Sequence, residues 1–308
     1  MWQLSINAFA YLRHIRLVFQ YVRQTRRYPN VAVPHSAEEK FLWRKVFDTN
    51  PLFTQLSDKL LAKDFTASRC PDLLIPETLW TGTDFCDIPE DLLSGPAVLK
   101  SNHASGQVIF LNGNRVDRAD LKGQTDRWLA RPYGRKNGEW GYRGIDRKIF
   151  VERLIAGANG EPLEDFNVYV MNGRVLYTQH LRESYGPNPT TTRYDRDGNQ
   201  LEPQISPKFA HLHADPPPQY PQIVELAEIL GAGIDHIRCD FYLCDGAIYF
   251  CEMTFYAVAG FPFVKGRLGE VWKANWDIRD SWFLTVPQPG WRGAYARWLR
   301  SACESAAI

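Results

Sequence analysis

A lysine and a short polar loop stand together at the end of an apolar run. Lys100 closes the run PAVLK, and residues 101–106 read SNHASG before the next apolar run begins. Exposed backbone N–H groups in such a loop, together with a lysine ammonium, suit the binding of phosphate oxygens. The GxxxxGK[ST] spacing of a P-loop is absent. The pattern therefore indicates a different anion-binding turn, and the alternative is an ordinary turn with a solvated lysine.

Four polar side chains interrupt two later apolar runs. Arg238 and Asp240 lie in HIRCDFYLC, and Glu252 and Thr254 lie in AIYFCEMTF. Strand alternation puts each pair on one face. A two-residue loop at 245–246 would put Asp240 and Glu252 on opposite faces, whereas a three-residue loop would put them on the same face. On one face, the carboxylates and a hydroxyl could hold Mg²⁺ through oxygen ligands, and the alternative is a structural ion pair with Arg238.

Two further groups are weaker candidates on their own. Glu152 lies in IFVERLIA and could accept a hydrogen bond from the amine or ribose of a nucleotide, or it could be a surface charge. Asp58 and Lys59 in LSDKLLAK form the kind of pair that helices carry routinely. The motifs G-x-S-x-G and H-E-x-x-H are absent from the sequence.

Helix and strand signals alternate around these groups. Apolar periodicity predicts helices over 51–69 and 223–233. Strand signals occur over 96–111, 147–156, 165–180 around an Asn-Gly turn, and 236–255 around an Asp-Gly turn. The proline-containing stretch over 187–221 reads as a long connection. The mixture predicts an α+β fold with largely antiparallel sheet.

Composition restricts the class of protein. The chain has 308 residues, which suggests two domains or one large one. Lys and Arg number 36 against 35 Asp and Glu, so the net charge of +1 argues against a nucleic-acid partner. Six cysteines show no zinc spacing and suit a reducing compartment. There is no apolar run of spanning length and no signal-peptide pattern, so the predicted location is cytoplasmic.

The N-terminal segment departs from this neutral balance. Residues 1–37 contain no acidic side chain and five arginines. Apolar residues recur between the arginines at helical spacing, namely Leu12, Ile15, Phe19 and Val22. Such a helix could lie on an anionic membrane surface, giving peripheral association through residues 1–30, or it could pack on the protein with an exposed basic face.

Five segments, in order, resemble those of one family. They are DTNPLFTQLSDK at 48–59, LKSNHASG at 99–106, FVERLI at 150–155, DFNVYVMNG at 165–173 and HIRCDFYLCDGAIYFCEMTF at 236–255. Over about residues 30–265 the chain resembles the TupA-like ATP-grasp family, which is linked to teichuronopeptide and other surface-polysaccharide synthesis. Two positions depart from the family pattern: Asn167 replaces its usual lysine, and Ala104 replaces the first glycine of the loop.

The resemblance implies an ATP-grasp fold in which two α+β lobes clasp MgATP. It implies an ATP-binding set of Lys59, Lys100, Ser101, His103, Ser105, Gly106, Glu152 and Asp165. It implies Mg²⁺ ligands at Asp240, Glu252 and Thr254, where Thr254 stands at a position that is Asn in many ATP-grasp enzymes. The implied catalytic residues are Arg238 and Lys265, and the candidates for binding a substrate carboxylate are Arg182, Arg193 and Lys265.

The activity implied is ATP-dependent ligation of a carboxylate to an amine through an acyl phosphate, in polysaccharide or natural-product synthesis. The expected partners are a small-molecule carboxylate and an amine. One alternative is a glycosyltransferase, for which Asp195 and Asp197 would supply a DxD-type motif. Another is a non-catalytic nucleotide-binding scaffold. The expected organisation is a basic helical segment over 1–50, a nucleotide-lid lobe over 51–155 and a large catalytic lobe over 156–308.

Overall fold

The computed structural model describes residues 2–112, 117–157, 163–184, 186–203, 208–260 and 266–305. Its helices are α1 (Trp2–Arg13), α2 (Ile15–Thr25), α3 (Ala37–Val46), α4 (Pro51–Ser57), α5 (Lys59–Arg69), α6 (Glu90–Ser94), α7 (Arg118–Ala130), α8 (Tyr220–Gly231), α9 (Arg267–Asn275), α10 (Trp282–Thr285) and α11 (Gly290–Ser305). Its strands are β1 (Thr78–Gly82), β2 (Pro96–Ser101), β3 (Val108–Asn112), β4 (Ile149–Arg153), β5 (Glu164–Met171), β6 (Arg174–Arg182), β7 (Thr190–Tyr194), β8 (Ala210–His211), β9 (His236–Cys244) and β10 (Ala247–Thr254). The predicted α+β class is confirmed.

The first four strands form a small antiparallel sheet in the order β1-β4-β2-β3. Ala97, Leu99 and Val151 lie on one face and join a hydrophobic cluster that includes residues of α6 and α7. Because strand side chains alternate between faces, Lys100 and Glu152 lie on the other face. The strand–loop–strand unit predicted over 96–111 is confirmed.

The remaining strands form a six-stranded sheet in the order β10-β9-β5-β6-β7-β8. Its pairs are antiparallel except for β7 with β8. Helix α8 packs on one face, where the Sγ atom of Cys239 lies 4.0 Å from the carbonyl oxygen of Ala227. Residues 238 and 240 alternate with Cys239 and therefore point away from α8. This sheet thus has one face covered by α8 and one face that carries the polar residues of β9.

Two local predictions need correction. The helix predicted over 51–69 is two helices, because the Asp58 carboxylate accepts the backbone N–H of Leu60 at 2.9 Å and caps the start of α5. The connection predicted over 187–221 contains strand β7, which pairs with β6. Threonine and tyrosine favour extended backbone, and this preference outweighs the prolines that flank them.

The hydrophobic clusters bear on the domain division, which stays a prediction. The small sheet has a cluster of its own, whereas the large sheet shares one cluster with much of the N-terminal region. Phe41 of α3, Phe53 of α4 and Ala62 of α5 all belong to the large-sheet cluster. Helices α4 and α5 therefore pack with the large lobe, although the prediction assigned 51–69 to the lid lobe.

The N-terminal segment forms helices α1 and α2, which meet at His14. The face that packs on the protein consists of Leu17, Val18 and Tyr21, all buried. Leu12 is 83% exposed, and Ile15 and Phe19 are each 66% exposed. Three of the four apolar residues recognised in the sequence are thus turned outward, whereas Val22 is half-buried. Among the described residues, no helix is long and apolar enough to cross a membrane.

A buried arginine ties α3 to the large sheet. The guanidinium of Arg44 pairs with Asp235 at 2.7 Å and donates to the carbonyl oxygens of His236 and Phe255 at 3.0 and 3.2 Å. Asp235 also accepts from the indole N–H of Trp276 at 2.8 Å. Arg44 is fully buried and Asp235 nearly so. This pair fixes where the helical N-terminal region sits against β9.

Replacing Arg44 should therefore destabilise the protein strongly. Arg44→Ala leaves the Asp235 charge buried without its cation, which costs about 3–5 kcal/mol. Urea unfolding followed by circular dichroism measures this loss. Arg118→Ala, which removes an exposed pair with Glu90, is the control and should change the free energy of unfolding by less than about 1 kcal/mol. Equal effects of the two substitutions would contradict the assignment.

Candidate active site between the two sheets

The two predicted metal-site carboxylates lie side by side. The β9–β10 hairpin has a two-residue turn, in which Asp245 and Gly246 have φ of 48° and 77° and Cys244 pairs with Ala247. A two-residue turn was expected to separate the carboxylates, and that expectation is wrong. A β-bulge at Cys251 inserts one extra residue, so Glu252 pairs directly with Asp240 on the same face.

Arg238 holds this pair of carboxylates. Its Nε and Nη2 atoms donate to the two Asp240 oxygens at 2.7 and 2.5 Å. Its Nη2 atom also lies 3.5 Å from Glu252 Oε1 and 3.3 Å from Thr254 Oγ1. The Thr254 hydroxyl donates to Glu252 Oε1 at 3.3 Å. The predicted ion pair and the predicted shared face are therefore both present.

Burial sets the protonation of this face. Burial raises the pKa of Asp240 to about 7, although Arg238 opposes the rise, and the nearby carboxylates Glu252 and Asp165 add to it. Burial alone would also raise the pKa of Glu252, but Lys59 and Arg238 hold it below its ordinary value. Negative charge is thus concentrated on Glu252, while Asp240 titrates near neutrality.

Strand β5 adds two polar residues to the same face. Asn167 pairs in register with Asp240, and Asp165 pairs with Tyr242 two residues further along β9. The hydroxyl of Ser184 donates to the Asp165 carboxylate. Burial raises the pKa of Asp165. Asp165 was predicted to bind nucleotide, and it lies on the same face of the large sheet as Asp240 and Asn167.

On the small sheet, Glu152 is held between two lysines. Lys100 of β2 lies 2.5 Å from Glu152 Oε1, and Lys63 of α5 lies 2.6 Å from Glu152 Oε2. Burial alone would raise the pKa of Glu152, but the two ammonium groups hold it below its ordinary value. Glu152 in turn holds the pKa of Lys100 above its ordinary value against the effect of burial. Burial lowers the pKa of Lys63 below its ordinary value, although Glu152 opposes that effect.

Lys59 connects the polar loop to the large sheet. Its ammonium donates to the carbonyl oxygen of Ala104 at 2.5 Å and lies 3.6 Å from Glu252 Oε2. The backbone N–H of Lys59 also donates to the carbonyl oxygen of Asn102 at 2.9 Å. One residue at the start of α5 therefore touches both the loop and the carboxylate face.

The loop residues have distinct positions. Ser105 and Gly106 are exposed, and Gly106 has a φ of 72°, a conformation that favours glycine. Ser101 is fully buried on the same sheet face as Leu99, so its side chain does not share the face of Lys100. The ring nitrogens of His103 lie 3.1 Å from Asn102 Oδ1 and 3.0 Å from the Trp128 carbonyl oxygen. These contacts favour the loop-packing alternative for His103 and argue against nucleotide contact by the Ser101 side chain.

The candidates for a substrate carboxylate separate in the structure. Arg193 pairs in register with Gln179, which lies on the Asp240 face, so Arg193 is placed there. Arg182 lies on the opposite face, where it contacts Glu164 and Thr192, so its predicted role is not supported. Lys265 lies outside the described residues.

Sequence reasoning missed two parts of the site. Lys63 lies one helical turn after Lys59 on α5, and that four-residue spacing was the available signal. The second part is the segment 131–148 between α7 and β4, which carries several arginines but no helix or strand periodicity. Asn102 attaches this segment to the loop: its Nδ2 donates to the Asp146 carbonyl oxygen at 2.9 Å, and its Oδ1 accepts from the backbone N–H of Lys148 at 2.8 Å.

Among the described residues, no group of three or more His, Cys, Asp or Glu side chains is placed to hold a metal ion. The carboxylate face instead offers two opposed carboxylates, a hydroxyl and an amide. Mg²⁺ commonly uses one or two protein carboxylates, with substrate phosphates supplying other ligands. The donor set is compatible with such a shared site.

The chain belongs to the TupA-like ATP-grasp family, whose sequence model matches residues 39–267. The predicted family and the predicted ATP-grasp fold are both confirmed. No curated protein matches the chain in sequence.

Solved structures with a similar fold include two D-alanine–D-alanine ligases. The ligase from Bacillus anthracis, solved with ATP, is 14% identical, with a TM-score of 0.38 over 71% of this chain and 59% of that one. The ligase from Helicobacter pylori is also 14% identical, with a TM-score of 0.41 over 72% and 57%. The chain thus spans less than two thirds of each ligase. The macrocyclase MdnC from Microcystis aeruginosa MRC, bound to its precursor peptide, is 14% identical, with a TM-score of 0.36 over 86% and 69%.

The raised pKa of Asp240 predicts a pH-dependent effect of Asp240→Asn on stability. The folded-state pKa of about 7 lies above the ordinary 3.8, so between these values the folded wild type binds more protons than the unfolded chain. Its free energy of unfolding therefore falls as pH rises through this window. Asparagine does not titrate, so the variant should gain on the wild type by up to about 1.4 kcal/mol per pH unit.

Urea unfolding of both proteins from about pH 5 to about pH 8 checks this expectation. Thr254→Val, which keeps the shape of the side chain and has no titrating group, is the control and should run parallel to the wild type. Parallel curves for Asp240→Asn as well would mean that Arg238 keeps Asp240 ionised throughout.

Proposed function

We propose that the protein is an ATP-dependent carboxylate–amine ligase that forms an amide and releases ADP and phosphate. Family membership supports ATP as the nucleotide, and the geometry of the cleft supports phosphoryl transfer. The observation that carries the proposal is the position of Lys59. This lysine touches both the loop suited to phosphate and the opposed carboxylates suited to Mg²⁺.

The residues divide into two groups along the nucleotide. Lys100, with Lys63 and Glu152, would bind the inner phosphates and border the base and ribose. The exposed backbone at Ser105 and Gly106 would cover the triphosphate, as backbone N–H groups do in other anion-binding loops. Lys59 would lie at the outer phosphate, because it alone of the three lysines contacts the large sheet through Glu252.

Asp240 and Glu252 would hold Mg²⁺, with Thr254 and Asn167 within the same set of oxygen donors. The register supports this fit, because Asp240 and Glu252 pair directly on one face of the large sheet. Glu252 is the more exposed of the pair and keeps the lower pKa. When bound, the ion would neutralise phosphate charge and orient the outer phosphoryl group.

The reaction needs positive charge more than a general base. A substrate carboxylate oxygen attacks the γ-phosphorus, the bond to the bridging oxygen of ADP breaks, and an acyl phosphate forms. The amine nitrogen then attacks the acyl carbon, loses a proton, and phosphate leaves with the bonding electrons. Arg238 and Lys59 would stabilise the charge that develops on the transferred phosphoryl group. We place the reaction in polysaccharide or natural-product synthesis on the basis of the family alone.

The glycosyltransferase alternative has weaker support. Asp195 was its metal-motif candidate, but its carboxylate accepts the backbone N–H groups of Asp197 and Asn199, both at 2.9 Å. Asp195 therefore stabilises its own turn. Exposed Asp197 lies in the same turn, and Arg196 between them pairs with Glu228. A non-catalytic scaffold would bind nucleotide without turnover, and the following experiment distinguishes it.

An assay of ADP release tests the proposed function. The purified chain is incubated with MgATP, pooled amino acids and sugar acids, and products are identified by mass. We expect ADP release that requires both a carboxylate and an amine. Glu252→Gln should reduce kcat by about 10²–10³-fold, because it removes a proposed ligand of the Mg²⁺ whose charge would stabilise the transferred phosphoryl group.

Glu225→Gln, on the exposed side of α8, is the matched control and should leave turnover unchanged. ATP binding with no ADP release from any pool would favour the scaffold, and UDP release from a sugar nucleotide would favour the transferase.

We also propose that helices α1 and α2 attach the protein to an anionic membrane surface, at the cytoplasmic face. The observation in favour is that Leu12 at the end of α1 and Ile15 and Phe19 of α2 are all exposed, with arginines near them in sequence and no acid in the first 37 residues. Apolar side chains with neighbouring cations match an interface that has acyl chains beneath anionic headgroups.

Vesicle sedimentation tests this attachment. The wild type should bind phosphatidylcholine vesicles only when they contain phosphatidylserine. Leu12→Ser with Phe19→Ser should weaken binding at least about tenfold, since each apolar side chain contributes about 1.5–3 kcal/mol on burial. Ile229→Ser removes an exposed apolar residue on α8 and is the control. Binding that is equal in all three proteins, or independent of phosphatidylserine, would rule out this role for Leu12 and Phe19.

A further inference from the structure

A cavity of about 440 Å³ lies beside the polar loop. Its wall includes His103 of the loop and, from segment 131–148, Tyr133, Arg135, Tyr142, Arg143 and Arg147. We name it the arginine cavity. None of its arginines was identified from the sequence, and none has a role in the nucleotide site described above.

The arginine cavity adjoins the reaction centre on two sides. Tyr133 lies near Ser105, one of the exposed loop residues suited to the triphosphate, because that serine opposes the rise in the pKa of the phenol that burial causes. Tyr142 lies close enough to Glu252 that the carboxylate adds to the effect of burial in raising the pKa of the phenol. A ligand in the cavity would therefore lie near both the loop and the carboxylate face, where an attacking group must approach the outer phosphate.

The cavity carries uncompensated positive charge. Within the described part of the chain, Arg135, Arg143 and Arg147 form no ion pair. The acidic residues of the segment are directed elsewhere: Asp146 pairs with Lys148 at 3.4 Å, and Glu139 is buried near Lys45 and Asn137. Three guanidiniums around one space favour a ligand with more than one negative charge.

Size and wall chemistry narrow the ligand further. Ligand pockets commonly have volumes of about 300–1,000 Å³, so this cavity suits a molecule the size of a dipeptide or monosaccharide. The rings of Tyr133 and Tyr142 meet edge to face with centroids 4.8 Å apart and supply an apolar wall. Guanidinium groups match carboxylates in a planar, two-bond geometry.

We infer that the arginine cavity binds the acid substrate, and that this substrate carries two or more carboxylates. One carboxylate would reach toward the outer phosphate, while the arginines hold the others. The assignment of this cavity as a substrate site rests on the proposed ligase activity, but binding of a polycarboxylate to it can be tested without turnover. Segment 131–148 then determines which acid is activated.

Calorimetric titration with two matched dipeptides tests the inference. L-glutamyl-L-glutamate and L-glutaminyl-L-glutamine have similar size but differ in the number of carboxylates. The full-length wild type should bind the glutamate dipeptide at least about tenfold more tightly, and added salt should reduce that difference. Arg135→Gln with Arg147→Gln should weaken its binding roughly tenfold for each guanidinium removed.

Arg131→Gln is the matched control, because Arg131 is an exposed arginine of the same segment outside the cavity wall. It should leave dipeptide affinity unchanged, and both variants should keep the wild-type urea midpoint and the wild-type affinity for ATP. Equal affinity for the two dipeptides, or loss of ATP affinity in the double variant alone, would overturn the inference.

Inorganic pyrophosphate is titrated in parallel. If pyrophosphate binds and loses affinity in the double variant while the glutamate dipeptide does not bind, the cavity takes phosphates and the carboxylate assignment is overturned. Because no titration requires ATP turnover, failure of this inference is distinguishable from failure of the ligase assay.

Discussion

The cleft depends on one constraint: a carboxylate withdrawn from water must have a cation beside it. Glu152 pairs with Lys63 and Lys100. Asp240 pairs with Arg238, and Glu252 lies near both Arg238 and Lys59. Because these partners come from α5, β2, β4, β9 and β10, satisfying the carboxylates also fixes the small sheet and the large sheet relative to α5. The groups suited to a nucleotide are thus the same groups that form the ion pairs of the cleft. A bound triphosphate would compete with these carboxylates for the same cations.

The sequence was most informative where a local signal has a single physical meaning. Asn172-Gly173 and Asp245-Gly246 identified two hairpins, because few dipeptides adopt positive φ at both positions. The order of five motifs identified the family. Strand alternation also puts Lys100 and Glu152 on one face of the small sheet, whereas Glu252 shares the face of Asp240 only because of the bulge. The roles proposed for these four residues stay predictions.

The other parts of the candidate site depend on contacts between distant segments of the chain, and the spacing of residues in the sequence does not encode those contacts. Nothing about Cys251 marks it as a bulge; the bulge appears only in its register with β9. Lys63 becomes part of the site because its ammonium reaches from α5 to Glu152 of β4, and Ser101 leaves it because alternation turns its side chain to the face of Leu99. Segment 131–148 has neither helix nor strand periodicity, so alternation assigns its arginines to no face. Only the contact of this segment with Asn102 of the loop shows that it lies beside the site.

The bulge at Cys251 also has a consequence for how this hairpin can change over evolutionary time. With a two-residue turn, uninterrupted alternation would pair Asp240 with Cys251, so Glu252 and Thr254 reach the cleft only because the bulge takes up one residue. Straightening the bulge with every residue retained would send Glu252 and Thr254 to the side of α8 and bring Met253 to the cleft. Deleting the one extra residue would instead leave Glu252 opposite Asp240 in a regular ladder. Related chains can therefore keep the two carboxylates face to face with either spacing, provided that the bulge and its extra residue are gained or lost together.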